Sequence, residues 1–193
     1  PVYPASGPDS EAEHARVAVL SFEDQTGTQD YAYMSNSLSD SINRSMQKNF
    51  TYERVSPEDA ATAFEKAKYK LQSEAAKNKS KDKEEELLKI YKIMAKDIKA
   101  DIIIYGYYTF NSKEQKMDIK TRMFYAASQE FAEIPDISNK VDSTIFGATE
   151  KTAQNIILEI RKMTEQAAAT EETKTAAATD SKAAPAAAKP AET

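Results

Sequence analysis

The sequence contains no cysteine, no tryptophan and a single histidine. Without cysteine, disulfide frameworks, thiolate metal sites and cysteine nucleophiles are excluded. The histidine, His14, has no orienting partner or ligand set beside it, so we expect a solvated side chain. A Gly-rich phosphate loop and residues at metal-ligand spacing are missing as well. We therefore expect a protein without catalytic residues, bound metal or cofactor.

Long apolar runs and an excess of positive charge are also missing. No run approaches the roughly 20 apolar residues that span a bilayer. The net charge of −5 makes nonspecific attraction to nucleic acid or to an anionic bilayer unfavourable, so we expect no nucleic-acid partner. The sequence begins at Pro1 instead of Met, so we expect any export signal or lipidated cysteine to have preceded it. Membrane contact would then occur only through such an anchor.

The composition bounds the domain organisation. With 193 residues, 40% hydrophobic and 30% charged, the chain can bury one modest core. Residues 1–15 lack apolar periodicity and predict a flexible leader, whereas residues 165–193, rich in Ala, Lys and Pro, predict a disordered tail. Between them we expect a single α/β domain over residues 16–164, with a charged arm at residues 77–86 inside it.

The stretch from Ile102 to Phe110 is β-branched or aromatic almost throughout, which is typical of a central strand buried on both faces. After a polar turn, Met117 to Tyr125 alternates apolar and polar residues, which predicts a second strand with one wet face. Gly106 interrupts the first strand where a side chain would normally pack. There we expect a bulge or a close backbone approach.

The flanking sequence predicts helices and further strands around this hairpin. A short apolar run predicts a strand over Arg16–Phe22, and apolar residues four apart predict a helix from Met34 to Met46. Ser56 and Pro57 predict the start of another helix. Further elements are expected as a short strand at 50–55, a helix to about residue 77, a helix over 87–98, a strand at 129–134 ended by Pro135, and a last helix from Asp142 or Ser143. These elements predict the α/β class, with a mixed β-sheet packed by helices.

The charged arm KNKSKDKEEE is either a turn joining two helices or the solvated middle of one long helix. A solvated arm is the preferred interpretation over a surface that recognises charge. If the arm does dock a partner, its candidate residues are Lys79, Lys81 and Lys83.

Two further sets of residues are candidates for partner binding. Alternation along the central strand places Tyr105 and Tyr107 on one face, and this pair would form a contact patch if helices left that face uncovered. Asp24 and Gln25 lie in the loop that follows the first strand, where recognition residues are common. An exposed sheet edge that accepts a partner's strand is a third possibility.

Four segments in order resemble the family of the amino-terminal domain of the periplasmic protein TolB. They are RVAVLSFEDQTG at 16–27, YMSNSLSDSINRSM at 33–46, MAKDIKADIIIYGYY at 94–108 and STIFGATEKTAQNIILEI at 143–160. Relatives include the flagellar outer-membrane protein FlgO, the curli secretion lipoprotein CsgG and the synthase-activating lipoprotein LpoB. The resemblance implies a single α/β sandwich of a mixed β-sheet packed by helices, similar to the anticodon-binding-domain fold. It also implies an exported protein in the periplasm or at the outer membrane.

What the resemblance implies about function is a non-catalytic module that binds another envelope protein, or a second copy of itself, and helps to assemble or position an envelope complex. A flagellar or secretion accessory protein of the same fold is an alternative of this class. From a different class, the alternative is a small-molecule or nucleotide sensor or enzyme that uses a cleft near Gly106.

Reversing the charges of the arm in the variant K79E/K81E/K83E tests whether the arm docks a partner. We expect recovery of envelope proteins by the immobilised chain to stay unchanged, because a solvated arm contributes to solubility and not to binding. Quantitative mass spectrometry of the captured proteins measures this. A loss of one captured protein would make the arm a docking surface.

Overall fold

The computed structural model describes residues 15–75, 83–141 and 147–163. Its strands are β1 (Arg16–Val19), β2 (Glu23–Asp24), β3 (Glu53–Arg54), β4 (Ile102–Asn111), β5 (Lys116–Tyr125) and β6 (Glu130–Lys140). Its helices are α1 (Met34–Asn49), α2 (Pro57–Ala75), α3 (Lys83–Ile98) and α4 (residues 147–163). The expected leader, most of the arm with Lys79 and Lys81, the start of the last helix at 142–143 and the tail lie outside the described residues.

All six strands belong to one mixed sheet in the order β3-β1-β4-β5-β6, with β2 also paired to β4. β1 and β2 pair parallel with the same edge of β4, and β5 pairs antiparallel with its other edge. The central position predicted for β4 is therefore confirmed. So is the α/β class, because α1 packs on one face of the sheet and α2 and α3 pack on the other.

Both faces of β4 are buried over its first half. Ile102 and Ile104 are 1% and 0% exposed on the face toward α1, and Ile103 is 0% exposed on the other face. Farther along the α1 face, the buried Tyr108 hydroxyl donates to the carbonyl of Tyr31 at 2.8 Å. β4 thus joins the two layers of helices through alternate side chains.

The predicted start of α2 is confirmed. The amide of Asp59 donates to Ser56 Oγ at 3.0 Å, and that hydroxyl donates back to the Asp59 carboxylate at 2.7 Å. The helix then packs against α3, with the rings of Phe64 and Tyr91 5.9 Å apart. The alternative of one long helix across the charged arm is wrong, because α2 and α3 are separate helices that pack side by side.

Three strands have boundaries that differ by several residues from the prediction, and one of them is β3, which covers only Glu53–Arg54 of the expected 50–55. β6 does not end before Pro135 but continues to Lys140, because β6 is an edge strand and the residues around Pro135 form a bulge. In the β5–β6 pairing, Ile119 lies opposite Ile137 while Thr121 lies opposite Ile134, so β6 has one extra residue there. At the other end, the strand predicted over Arg16–Phe22 stops at Val19.

At Gly106 the backbone of β4 lies very close to its neighbours, although the residues before and after it pair regularly with β5. Pairing with β5 runs without a shift through Gly106 opposite Thr121. A Cβ at this position would collide with the carbonyl oxygen of Lys120 and would lie 2.5 Å from the Phe22 ring. The Phe22 amide donates to the Ser35 carbonyl at 3.2 Å, so the chain leaves β4 here and inserts the ring over Gly106.

The chain separates into two compact units, with the boundary after Ile157. The sheet, α1 to α3 and residues 147–157 of α4 belong to the first unit. The described part of the second unit, residues 158–163, is helical, and in it Lys162 donates to the Glu159 carboxylate at 2.9 Å. The expected domain over 16–164 stays a prediction.

The variant Gly106→Ala should lower the free energy of unfolding by about 1–3 kcal/mol, because the added methyl overpacks a site formed by backbone and a buried ring. Urea denaturation measures the change. Gly147→Ala is the matched control, since nothing lies within 4 Å of a Cβ there and Ala favours the helix by up to about 1 kcal/mol. Equal stability of the two variants would contradict the close approach.

Candidate functional site

A groove of about 700 Å³ lies over β4 and β5 on the face toward α2 and α3. We call it the aromatic groove. Its lining comes from five parts of the chain: Leu20, Ser21, Glu23 and Gln25 around β2, Ala61, Phe64, Glu65 and Lys68 on α2, Leu87 and Tyr91 on α3, Tyr105, Gly106 and Tyr107 on β4, and Lys120 and Arg122 on β5.

The β4–β5 hairpin places the residues at the base of this groove. Tyr105 and Tyr107 follow the buried Ile103 on the same face of β4, but both are half-buried instead of buried. The hairpin register sets Arg122 opposite Tyr105 and Lys120 opposite Tyr107. A row of two tyrosines and two cations therefore faces the groove.

Stacked rings hold Tyr105 in place. The Tyr91 ring from α3 stacks on the Tyr105 ring with centroids 4.5 Å apart, and Phe131 from β6 meets it edge-on at 6.0 Å. Phe124 lies below, 6.1 Å from Tyr91 and 5.6 Å from Phe131. Aromatic pairs of this kind contribute about 0.5–1.5 kcal/mol each beyond their buried area, so this side of the groove is rigid.

Two of the tyrosines that line the groove, Tyr91 and Tyr105, have a raised pKa. Burial raises the pKa of Tyr105, and the positive charge of Arg122 offsets part of that rise. The Tyr105 hydroxyl is buried beside the Arg122 guanidinium. Burial is also the main cause that raises the pKa of Tyr91, with the neighbouring Tyr105 and Glu23 adding to the effect.

Ion pairs surround the aromatic surface. Lys68 lies 3.3 Å from Glu65, Lys120 lies 3.5 Å from Asp136, and Arg122 lies 3.1 Å from Glu133. The Lys120 ammonium is also 6.0 Å from the centre of the Tyr107 ring. Exposed ion pairs contribute about 0–1 kcal/mol to stability, so a bound molecule can replace one member of each pair at little cost in free energy.

Three of the residues proposed from the sequence come together in this groove, whereas Asp24 and Lys83 do not line it, and Lys79 and Lys81 lie outside the described residues. Tyr105, Tyr107 and Gln25 line it. Asp24 pairs with Tyr108 instead, and its carboxylate accepts bonds from the Thr26 hydroxyl at 2.7 Å and the Thr26 amide at 2.9 Å, which lower its pKa. Lys83 is exposed at the first position of α3, and a binding role for any of these residues stays a prediction.

The residues missed by sequence reasoning are those from neighbouring elements, chiefly Phe64, Tyr91, Lys120 and Arg122. A signal existed for two of them. The turn predicted from Asn111 to Lys116 sets the register of the hairpin, and that register places Lys120 and Arg122 beside the tyrosines. The helix residues carry no such signal, because periodicity does not say which part of a sheet a helix covers.

The sheet edges that the structure describes are poorly suited to pair with a strand from a partner. On one side the edge strands are β3 and β2, which have two residues each. On the other side the edge strand is β6, where the bulge and Pro135 interrupt the row of backbone donors. Short, bulged and proline-bearing edges resist the pairing of further strands.

The described residues include no group of three or more His, Cys, Asp or Glu side chains placed to hold a metal ion. None of the described helices combines the length and apolar character needed to cross a bilayer.

No family model and no curated protein matches this sequence. Solved structures are similar in fold. The LpoB C-terminal domain from Salmonella enterica is 13% identical, the match covering 66% of this chain and 84% of that one with a TM-score of 0.44. A PelC dodecamer from Paraburkholderia phytofirmans is 14% identical, with coverages of 79% and 91% and a TM-score of 0.43. Lipoprotein GNA1162 from Neisseria meningitidis is 14% identical, with coverages of 75% and 96% and a TM-score of 0.42.

LpoB is one of the relatives that the sequence resemblance implied, and GNA1162 is a lipoprotein. At these identities and scores the likenesses concern the fold alone. The assignment to the TolB amino-terminal family stays a prediction.

Stability should fall as the pH rises above about 10, the tyrosine pKa in an unfolded chain. A tyrosine whose pKa is raised in the folded state contributes fully to the free energy of unfolding below that pH. This contribution is lost as the pH rises toward the folded-state pKa. Tyr91→Phe removes one such group, so its stability should fall less steeply than that of the wild type between pH 9 and about 12. Urea denaturation across this range measures the slopes.

Tyr69→Phe is the control for this variant, because Tyr69 is 76% exposed. Its free energy of unfolding should fall with pH as steeply as that of the wild type. If Tyr91→Phe follows that slope as well, the Tyr91 hydroxyl ionises freely and the aromatic groove is more open to water than its packing indicates.

Proposed function

We propose that this chain is a non-catalytic cell-envelope module that binds another protein and helps to assemble or position an envelope complex. The aromatic groove is its binding surface. The observation that carries the proposal is the half-buried pair Tyr105 and Tyr107, held by stacked rings and bordered by weak ion pairs. Exported localisation, in the periplasm or at the outer membrane, rests on the sequence resemblance.

The composition of the groove favours a protein partner. Tyrosine and arginine are the residue types that contribute most to protein interfaces, where an apolar centre is surrounded by a polar rim. Here Tyr107 and the ring of Phe64 supply the apolar centre, and Arg122 supplies a planar donor beside it. Because Tyr91 locks Tyr105 before any partner binds, little side-chain entropy is lost there on binding.

A small-molecule sensor is the second candidate, and the volume of the groove favours it. At about 700 Å³, with Gly106 in its lining, the groove lies within the range of about 300–1,000 Å³ that is usual for ligand pockets. A thermal-shift screen of metabolites and nucleotides separates the candidates. A saturable stabilisation that Tyr107→Ala removes would favour the sensor.

Site-specific photocrosslinking tests the protein-binding proposal. A photoreactive phenylalanine analogue in place of Tyr107 should crosslink to one envelope protein, or to a second copy of the chain, in an envelope extract. The same analogue in place of Tyr69, a tyrosine that is 76% exposed on α2, is the matched control and should give no such adduct. Mass spectrometry identifies the adducts.

Tyr107→Ala should lower recovery of that partner about tenfold, the effect of losing roughly 1.4 kcal/mol of binding free energy. Tyr69→Ala should leave recovery unchanged. Equal crosslinking from positions 107 and 69, or equal recovery by the two alanine variants, would overturn the assignment of the aromatic groove.

A further inference from the structure

A second groove, of about 420 Å³, runs between α2 and α3 and is lined by residues of these two helices alone. We call it the lysine groove. Its floor is apolar: Ala63 and Ala67 are buried beneath it, and the apolar surface that stays accessible is the half-buried Ile93 with the stems of the lysines around it. Its sides are the exposed Lys66, Lys70 and Lys96 together with Asp97. Three cations thus face one anion in a chain whose net charge is −5.

The three lysines differ from two other lysines on these helices. Lys68 and Lys89 make ion pairs with Glu65 and Glu85 within their own helices. Among the described residues, Lys66, Lys70 and Lys96 have no carboxylate within ion-pair distance. Lys89 has Glu85 four positions before it, whereas the residue four positions before Lys70 is Lys66 and the one four positions before Lys96 is Lys92.

Helix spacing makes this arrangement unfavourable for the helices themselves. Lys66 and Lys70 are four apart on α2, and Lys92 and Lys96 are four apart on α3. Like charges at this spacing destabilise a helix, where opposite charges would stabilise it. The sequence therefore holds positive charge beside the lysine groove at a cost in helix stability, and a bound anionic group would remove that cost.

We propose that the lysine groove docks an acidic amphipathic helix of a partner protein. Apolar side chains of that helix would contact Ile93 and the aliphatic stems of the lysines, and its carboxylates would pair with Lys66, Lys70 and Lys96. The apolar floor favours this occupant over a polyphosphate or an anionic bilayer, which have no apolar side chain to place between the lysines. The proposal does not depend on the aromatic groove, which opens over the sheet.

The probe is a labelled peptide of about 18 residues with leucine on one helical face and glutamate on both sides of it. Fluorescence anisotropy with the full chain should show saturable binding that weakens as salt rises from about 50 to about 300 mM. The variant K66E/K70E/K96E should bind at least about tenfold more weakly. A peptide with serine in place of leucine should lose most of its affinity.

The matched control is K113E/K140E/K151E, which changes the net charge equally at exposed lysines away from the groove. This control should bind the peptide within about twofold of the wild type. Circular dichroism confirms that both variants are folded, and K66Q/K70Q/K96Q replaces the reversed set if that one unfolds.

Three outcomes would overturn the proposal. The first is an equal loss of affinity for the peptide in both triple variants, which would attribute the loss to net charge alone. The second is absence of saturable binding by the wild type. The third is tighter binding of polyphosphate or phosphatidylglycerol vesicles than of the peptide, with the same dependence on Lys66, Lys70 and Lys96. Crosslinking from position 107 is unaffected by each of these, so failure here leaves the aromatic groove untouched.

Discussion

The structure depends on how far the helices cover the central strand. β4 is ten residues long and is paired along both edges, yet only its first part is buried on both faces. Ile102, Ile103 and Ile104 are enclosed between α1 and the α2–α3 pair. Farther along, Tyr108 is still buried on the α1 side, while Tyr105 and Tyr107 are half-buried on the other. The aromatic groove is the part of the sheet that α2 and α3 leave partly uncovered.

One packing contact links stability to the shape of this groove. Gly106 lacks the Cβ that would collide with Phe22, so the ring can lie over β4 and be buried to 1% exposure. Because Phe22 is inserted there, the chain leaves β4 after Leu20 and returns to it as β2, opposite Tyr107 and Tyr108. That return places Glu23 and Gln25 at the border of the groove. A change at Gly106 therefore affects both the core and the candidate site.

The α2–α3 pair contributes to two surfaces of different chemistry. Toward the sheet it supplies Phe64 and Tyr91, whose rings form the side of the aromatic groove. Between the two helices it presents Lys66, Lys70 and Lys96 around an apolar floor. Small residues allow the helices to approach closely, and the lysine stems extend from the contact into water. Under the two proposals above, one pair of helices would contact partners at both of these faces.

Much of the fold follows from local patterns. Period-two alternation in Met117–Tyr125, four-residue spacing in α1 and the cap at Ser56 each depend on neighbouring residues, so they were predictable. The path of β6 through Pro135 was not predictable from local patterns. Proline is tolerated there because β6 is an edge strand, and local sequence does not reveal which strand lies at the edge. The two readings of the charged arm could not be separated either, since only contacts between α2 and α3 distinguish two helices from one.

The sequence alone determined which residues share a face: Tyr105 with Tyr107 on one side of β4, and Tyr108 with Phe110 on the other. Alternation is a property of the extended backbone and needs no knowledge of what lies above it. Tertiary structure decided which face stays accessible and which side chains surround it. Phe64 and Tyr91 reach the tyrosines from helices far away in the sequence, and their positions depend on how those helices pack against the whole sheet.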